Sequence, residues 1–301
     1  MRIHSPKAFT LIELLVVISI IALLIGILLP ALGAARYTAN SMRCATQQQQ
    51  LGRALATYSA DSDDYVANVA SGSFGTGIAS PSWDDLLGLG EYDGRTRSWI
   101  AENSLYTSAA NPSAGPVTPV GAFELYECPL DDVDVTLANG SVPAAKRTYH
   151  MNWRDERGIT DTNKVGNLQY NAGVSGFATD GTPKSLRYAD ITQGSNVIVL
   201  AEKMGLNPAG TVRDNALGDW SGQNSWTVEF DSAVQAGAQE YGQHSPRQDG
   251  PAGTATDGYT PNFLYADGHV ASQDVREAFV RVNGSVASGY YVIGSQWDAK
   301  Q

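Results

Sequence analysis

A single acid interrupts the long apolar run near the amino terminus of this chain. Glu13 lies close to the start of that run, and the next charged residue is Arg36. A charged side chain on an isolated membrane helix costs on the order of 3 kcal/mol, so a lone acid there usually has a partner or a function. The partner of Glu13 must come from the chain's own amino terminus, from a neighbouring subunit or from the membrane edge.

Two cysteines, Cys44 and Cys128, form a second candidate pair. In an exported protein, two cysteines can form one disulfide. Closing a loop of this length would stabilise the fold by roughly 4 kcal/mol under the chain-entropy model. Two buried free thiols are the alternative.

A third group of chemically active side chains follows an apolar segment near the carboxyl end. It reads Asp267-Gly268-His269. Asp-Gly between two β segments is first a turn signal, because a type I′ turn needs positive φ at both central positions. The functional alternative is a divalent ion site that uses the side chains of Asp267 and His269.

Charge and motif content bound the classes of function. The chain has 20 basic and 31 acidic residues and a net charge of −11, which disfavours nucleic acid as a partner because phosphate binding needs basic patches. The sequence lacks the zinc-protease, serine-hydrolase, Ser-x-x-Lys, Cys-x-x-Cys and phosphate-loop motifs. We therefore predict no enzymatic activity and no cofactor.

The element that must position Glu13 is a membrane helix. The 21 residues from Phe9 to Leu29 are almost all apolar, and at about 1.5 Å per residue they span roughly 30 Å, the thickness of the hydrocarbon core. Arg2 and Lys7 precede this run. The positive-inside rule keeps them in the cytoplasm and sends the chain after Pro30 to the other side.

The membrane helix is predicted to continue beyond Pro30 to about residue 60. Leu51, Leu55 and Tyr58 recur at the spacing of one helix face, which would pack on a sheet. We interpret the four glutamines 47–50 as a solvated face. The acidic run 61–64 ends the helix, which at the standard rise would be about 78 Å long.

The chain after residue 65 has the composition of a β-rich domain with long loops. Gly, Ser, Pro, Asn and Asp separate short runs of Val, Tyr, Phe and Trp. One short helix is predicted at 83–87. The predicted strands are 123–126, 197–201, 226–230, 262–266 and 269–271. The fold class is therefore α+β, with a long amino-terminal helix packed on an antiparallel-sheet head.

The string Lys7-Ala8-Phe9-Thr10-Leu11-Ile12-Glu13 resembles the class III signal of type IV pilins and type II secretion pseudopilins. The resemblance implies that a prepilin peptidase cuts between Ala8 and Phe9 and methylates the new amine of Phe9. Glu13 would then be the fifth residue of the mature chain. It would pair with the amine of Phe9 on an adjacent subunit, although a carboxylate at the membrane edge is the alternative.

A second resemblance covers most of the head. The strings 43–44, 50–55, 126–129, 149–152, 199–202 and 262–270 are similar to a pseudopilin-like family of planctomycetes that is named for a His, nine residues and Asp-Gly. The best matching histidine is His244, which 22 residues separate from Asp267. Because pseudopilins as a family can bind calcium, the resemblance adds His244 to Asp267 and His269 as candidate metal ligands.

Together these features predict a leader at 1–8, an assembly helix at 9–60 and a head at 61–301. The function would be that of a structural subunit in a type IV pilus or a type II secretion pseudopilus. Its partners would be prepilin peptidase, other pilin subunits and the inner-membrane assembly machinery. The head would lie in the periplasm or on an extracellular filament. A membrane-anchored binding module that does not polymerise is the alternative.

Overall fold

The computed structural model describes residues 10–68, 82–98, 124–130, 147–155, 174–177, 185–202, 261–273, 277–279, 284, 296 and 299. Two compact units divide the chain, Met1–Met42 and Arg43–Gln301. The predicted strand at 226–230 lies outside the described residues.

One long helix, α1, extends from Leu11 to Asp61 with Pro30 inside it. The predicted helix and its end at the acidic run are confirmed. Three backbone features end it: Asp63 and Asp64 have φ angles of 51° and 67°, and the Asp64 amide donates to the Ser59 carbonyl at 2.9 Å. The side chain of Asp64 also accepts a hydrogen bond from the Ala189 amide at 2.9 Å. This acid therefore links the end of α1 to the 3₁₀ turn at Tyr188–Asp190.

The described strands form two sheets. The strands are β1 (Tyr149–Met151), β2 (Trp153–Asp155), β3 (Ser175–Phe177), β4 (Ile198–Glu202), β5 (Asn262–Tyr265) and β6 (Val270–Ser272). The larger sheet has the order β1-β4-β5-β6 and is antiparallel throughout, and β2 pairs with β3 in parallel. The α+β prediction and the strands near 197–201, 262–266 and 269–271 are confirmed.

The carboxyl-terminal part of α1 packs on the larger sheet. Leu51, Ala54 and Leu55 are buried, as the helical spacing predicted for two of them. A Cβ atom at Gly52 would lie 2.9 Å from Leu264 Cδ1 of β5. A side chain at this position would force the Leu264 side chain to shift, because the helix and the strand approach each other closely there.

Short helical elements complete the described head. The predicted helix near 83–87 is confirmed as α2, Trp83–Leu89. Three-residue 3₁₀ turns lie at Glu124–Tyr126, Tyr188–Asp190, Gly194–Asn196 and Glu277–Phe279. The prediction of a strand at 123–126 is wrong. The aromatic content of this segment suggested β structure, but Glu124–Tyr126 forms a 3₁₀ turn that buries only Tyr126.

Candidate functional site

The amino terminus of α1 holds Glu13 in a capping arrangement. One carboxylate oxygen, Oε2, accepts hydrogen bonds from the Thr10 amide and the Thr10 hydroxyl, each at 2.9 Å. In return, Thr10 Oγ1 accepts a hydrogen bond from the Glu13 amide at 3.3 Å. This reciprocal pattern satisfies backbone amides that a helix start leaves without partners. The other carboxylate oxygen, Oε1, accepts no hydrogen bond from the described residues, so it can still accept one from another group.

The apolar part of α1 after Glu13 is exposed on all sides. Its most apolar 18-residue window has a mean hydropathy of 3.1, and none of that window is buried. Ser19, a polar residue within it, donates to the Leu15 carbonyl at 2.7 Å and so needs no external acceptor. This segment is long and apolar enough to cross a membrane.

A disulfide joins α1 to the loop after the first 3₁₀ turn. Cys44 and Cys128 are both fully buried, and their Cα atoms lie 5.0 Å apart. The chain therefore closes a covalent loop with a sequence separation of 84 residues. Nearby, the Gln47 amide nitrogen donates to the Glu124 carbonyl, and its oxygen accepts the Tyr149 hydroxyl at 2.8 Å.

The adjacent glutamine reaches the sheet. Gln48 Nε2 donates to the Asn262 carbonyl at 2.9 Å and to Glu202 Oε1 at 3.3 Å, and Asn262 Nδ2 donates to the same Glu202 oxygen at 3.3 Å. All three side chains are at least nine-tenths buried. The interpretation of residues 47–50 as a solvated face is therefore wrong for Gln47 and Gln48, whose amides satisfy backbone and carboxylate groups at the contact between α1 and the sheet.

A second buried cluster carries charges at α2. Asp84 accepts from the Arg147 guanidinium, and Asp93 Oδ2 accepts from Arg95 Nε at 2.7 Å. Arg95 also donates to the Tyr126 hydroxyl at 3.0 Å, and that hydroxyl donates to Asp93. Burial raises the pKa of Tyr126 well above its usual value, so the phenol remains a donor. The carboxylates are thus neutralised by arginine and hold α2 against the core.

The β5–β6 hairpin presents the predicted Asp-Gly turn at the surface. The Gly268 amide donates to the Tyr265 carbonyl at 2.9 Å, so Ala266 and Asp267 are the central residues of the turn; neither has a positive φ, whereas Gly268, which closes the turn, has a φ of 89°. The turn prediction is confirmed, but its type is not I′, which would need Asp267 in the same left-handed region. Here Gly268 supplies the left-handed conformation alone.

The turn brings together two predicted metal ligands in direct contact. His269 Nδ1 lies 2.6 Å from Asp267 Oδ1, and the His269 ring stacks on Tyr265 with a centroid separation of 4.3 Å. Burial acts in the opposite direction, but the hydrogen bonds from His269 keep the pKa of Asp267 below its usual value. The third predicted ligand, His244, lies outside the described residues.

The remaining predicted site residues have different outcomes. The processing residues Ala8 and Phe9 lie outside the described residues, whereas Glu13 lies in the first turn of α1 and the two cysteines form a buried disulfide. Sequence reasoning missed the buried roles of Gln48 and Glu202. A usable signal existed for Gln48, because it follows Cys44 by four residues and so shares the helix face that is buried against the sheet.

Two comparisons with known proteins found a match. A family model described as the prokaryotic N-terminal methylation motif matches residues 4–29. The chain is also similar to the type IV wide pilus major component PilA4 of Thermus thermophilus, with 40% identity over 68 residues. That match covers 23% of this chain and spans about half, 52%, of the relative.

No solved structure matches the chain. The methylation motif confirms the predicted prepilin signal, and a segment of 68 residues is similar to a type IV pilin. Neither comparison tests the resemblance of the head to the planctomycete family, which stays a prediction.

Proposed function

We propose that this chain is a structural subunit of a pilus or pseudopilus filament and has no catalytic role. The observation that carries this proposal is the fully exposed apolar part of α1, most of which lies within the methylation motif at residues 4–29. Exposed apolar surface on this scale needs a cover. Lipid covers it in the monomer, and the same surface of other subunits covers it in the filament.

The proposed maturation follows from the order of residues around the start of α1. Prepilin peptidase removes residues 1–8 by cutting between Ala8 and Phe9 and methylates the amine of Phe9. Arg2 and Lys7 hold the leader in the cytoplasm, which sends the head to the periplasmic side. Inner-membrane assembly machinery then moves the subunit from the membrane into the filament.

Glu13 would guide that assembly through its carboxylate oxygen Oε1, which accepts no hydrogen bond from the described residues. Thr10 occupies Oε2, and the charge of the carboxylate remains. The Phe9 amine of an adjacent subunit could donate to Oε1, so both charges would be neutralised as the helices pack in an apolar environment. A membrane-anchored module that does not polymerise would have no such need for Glu13.

The first experiment expresses the full chain with and without a prepilin peptidase and identifies the amino-terminal residue by mass spectrometry. We expect a mature chain that begins at Phe9 with a methylated amine only when the peptidase is present. A chain that the peptidase leaves uncut would refute the proposed maturation and favour a permanently anchored module.

A second experiment tests assembly with Glu13→Gln, which keeps the shape and removes the charge. We expect normal membrane insertion and loss of filaments, because the amine of the neighbouring subunit would lose its counter-charge. Ser19→Ala is the matched control, since it removes another polar group from the same helix and should leave assembly unchanged. Normal incorporation of the Glu13→Gln subunit into filaments would contradict the proposed pairing.

A further inference from the structure

The buried contact between α1 and the sheet brings together two sulfurs and a carboxylate. Cys44 Sγ, Cys128 Sγ and one oxygen of Glu202 all lie within 4.8 Å of one another, and all three residues are buried. They come from α1, the loop after the first 3₁₀ turn and the end of β4. Two thiolates and a carboxylate are ligands of the kind that zinc selects.

A fourth polar side chain, Gln48, contacts the Glu202 carboxylate of this group. Gln48 is fully buried, and its Nε2 contacts Glu202 Oε1, whereas its own Oε1 accepts no hydrogen bond from the described residues. A buried amide oxygen without a donor is costly, at about 1 to 3 kcal/mol. Rotation of the amide, which now turns Nε2 towards Glu202, would let a cation bound there satisfy this oxygen.

We propose that the dithiol form of this chain binds one zinc ion through Cys44, Cys128 and Glu202, with Gln48 Oε1 or a water as the fourth ligand. Tetrahedral zinc with ligands at about 2.0 to 2.3 Å holds them about 3.3 to 3.8 Å apart. All three ligand atoms lie within 4.8 Å of one another, so no pair exceeds that range by more than about one ångström, and the two sulfurs must move apart once they are no longer bonded. Rotation about χ1 of either cysteine moves the sulfurs apart.

Zinc and the disulfide are alternative ways to close the same contact. Zinc binding displaces one proton from each thiol and leaves the sulfur oxidation state unchanged. Disulfide formation instead removes two electrons and two protons from the thiols and transfers them to an oxidant of the disulfide class, which becomes a dithiol. The chain is synthesised with thiols, so the zinc form needs no reductant and is lost when the disulfide forms.

The test uses the full chain in detergent, reduced with a phosphine under anaerobic conditions and then supplied with zinc or with cobalt as a spectroscopic probe. We expect one bound zinc per reduced chain, none per oxidised chain, and thiolate-to-cobalt charge-transfer absorption. Cys128→Ser should abolish that absorption, and Glu202→Gln should weaken zinc binding by about tenfold or more.

Asp267→Asn is the matched control, because it removes a carboxylate from the other candidate site and should leave zinc binding unchanged. Circular dichroism reports whether each reduced variant is folded. Absence of zinc from a folded reduced chain would overturn the proposal, as would binding that survives Cys128→Ser. A reduced chain that unfolds and fails to refold when zinc is added would overturn it too.

Discussion

Gln47 and Gln48 show how much the position of one side chain matters in this head. The two residues have the same side chain as exposed Gln49 and Gln50, yet they are buried and bonded to the head. Each replaces water with a carbonyl or carboxylate partner. Loss of such a donor leaves its acceptor buried without compensation, which is more costly than the net value of the hydrogen bond.

We predict that Gln48→Met lowers the free energy of unfolding by about 2 to 3 kcal/mol, because the Asn262 carbonyl and the Glu202 carboxylate lose a donor. Gln49→Met is the matched control on the same helix and should change stability by less than about 0.5 kcal/mol, since the side chain is exposed. Denaturant titration of both variants measures the difference. Equal effects would show that the buried amide contributes nothing specific.

The elements of the head depend on buried charge as well as apolar packing. Helix α2 is only seven residues long, and Trp83, Asp84 and Asp85 in its first turn are all buried. A helix this short is not stable alone. Its position depends on Asp84, which is fixed by Arg147, and on Asp85, which accepts the Ser82 amide at 3.2 Å.

We expect Asp84→Asn to destabilise the head by about 3 kcal/mol or more, because the buried Arg147 guanidinium loses its counter-charge. Asp190→Asn serves as the control, since Asp190 is exposed. Thermal unfolding of both variants provides the measurement. An Asp84→Asn head as stable as the Asp190→Asn head would mean that this ion pair does not hold α2.

The β5–β6 hairpin carries a pH-dependent contact. The folded pKa of Asp267 lies below its unfolded value. The contact therefore stabilises the hairpin above the unfolded pKa, about 3.9, and that stabilisation is lost as the pH falls through the lower folded pKa. Replacement of His269 by Ala removes the side-chain bond and should raise the pKa of Asp267.

NMR titration of the carboxyl carbon of Asp267 measures this rise. Tyr265→Phe is the control, because it keeps the ring that stacks on His269 and leaves both partners of the hydrogen bond in place. An Asp267 pKa that is the same in His269→Ala as in the unmodified chain would assign the lowered value to the backbone amide alone.

At the scale of the whole molecule, exposed apolar surface is concentrated in one unit. Among the described residues, the exposed large hydrophobic side chains lie between Leu11 and Leu32, apart from Met42 and Tyr65. The unit Arg43–Gln301 contains the described sheets, the disulfide and both buried polar clusters. Solubility and folding are thus determined by different parts of the sequence.

We predict that a chain beginning at Arg36 is soluble, folded and disulfide-bonded, whereas the full chain requires detergent. A chain beginning at Arg53 is the control: it is equally free of the apolar run but lacks Cys44, Gln47 and Gln48, and it should aggregate. Gel filtration and circular dichroism distinguish the two. A soluble, folded chain from Arg53 would show that these three residues are dispensable.

Local patterns predicted α1, α2 and three strands because composition and spacing determine those elements over a few turns or residues. Cys44 and Cys128 are the only two cysteines in the sequence, so no other disulfide within the chain competed with this pairing. The burial of Gln48 and Glu202 could not be predicted in this way, since a polar side chain becomes buried only when distant groups supply its partners. The turn type at Asp267 likewise depended on strand register as well as on the Asp-Gly pair.

The disulfide between Cys44 and Cys128 has a mechanical consequence. A pulling force applied to α1 before Cys44 and resisted anywhere beyond Cys128 passes directly from one cysteine to the other. The intervening segment carries no load, so roughly 280 Å of extended chain, at about 3.4 Å per residue for a separation of 84 residues, cannot be drawn out. Under tension, the oxidised head would yield only in the segments outside this covalent loop.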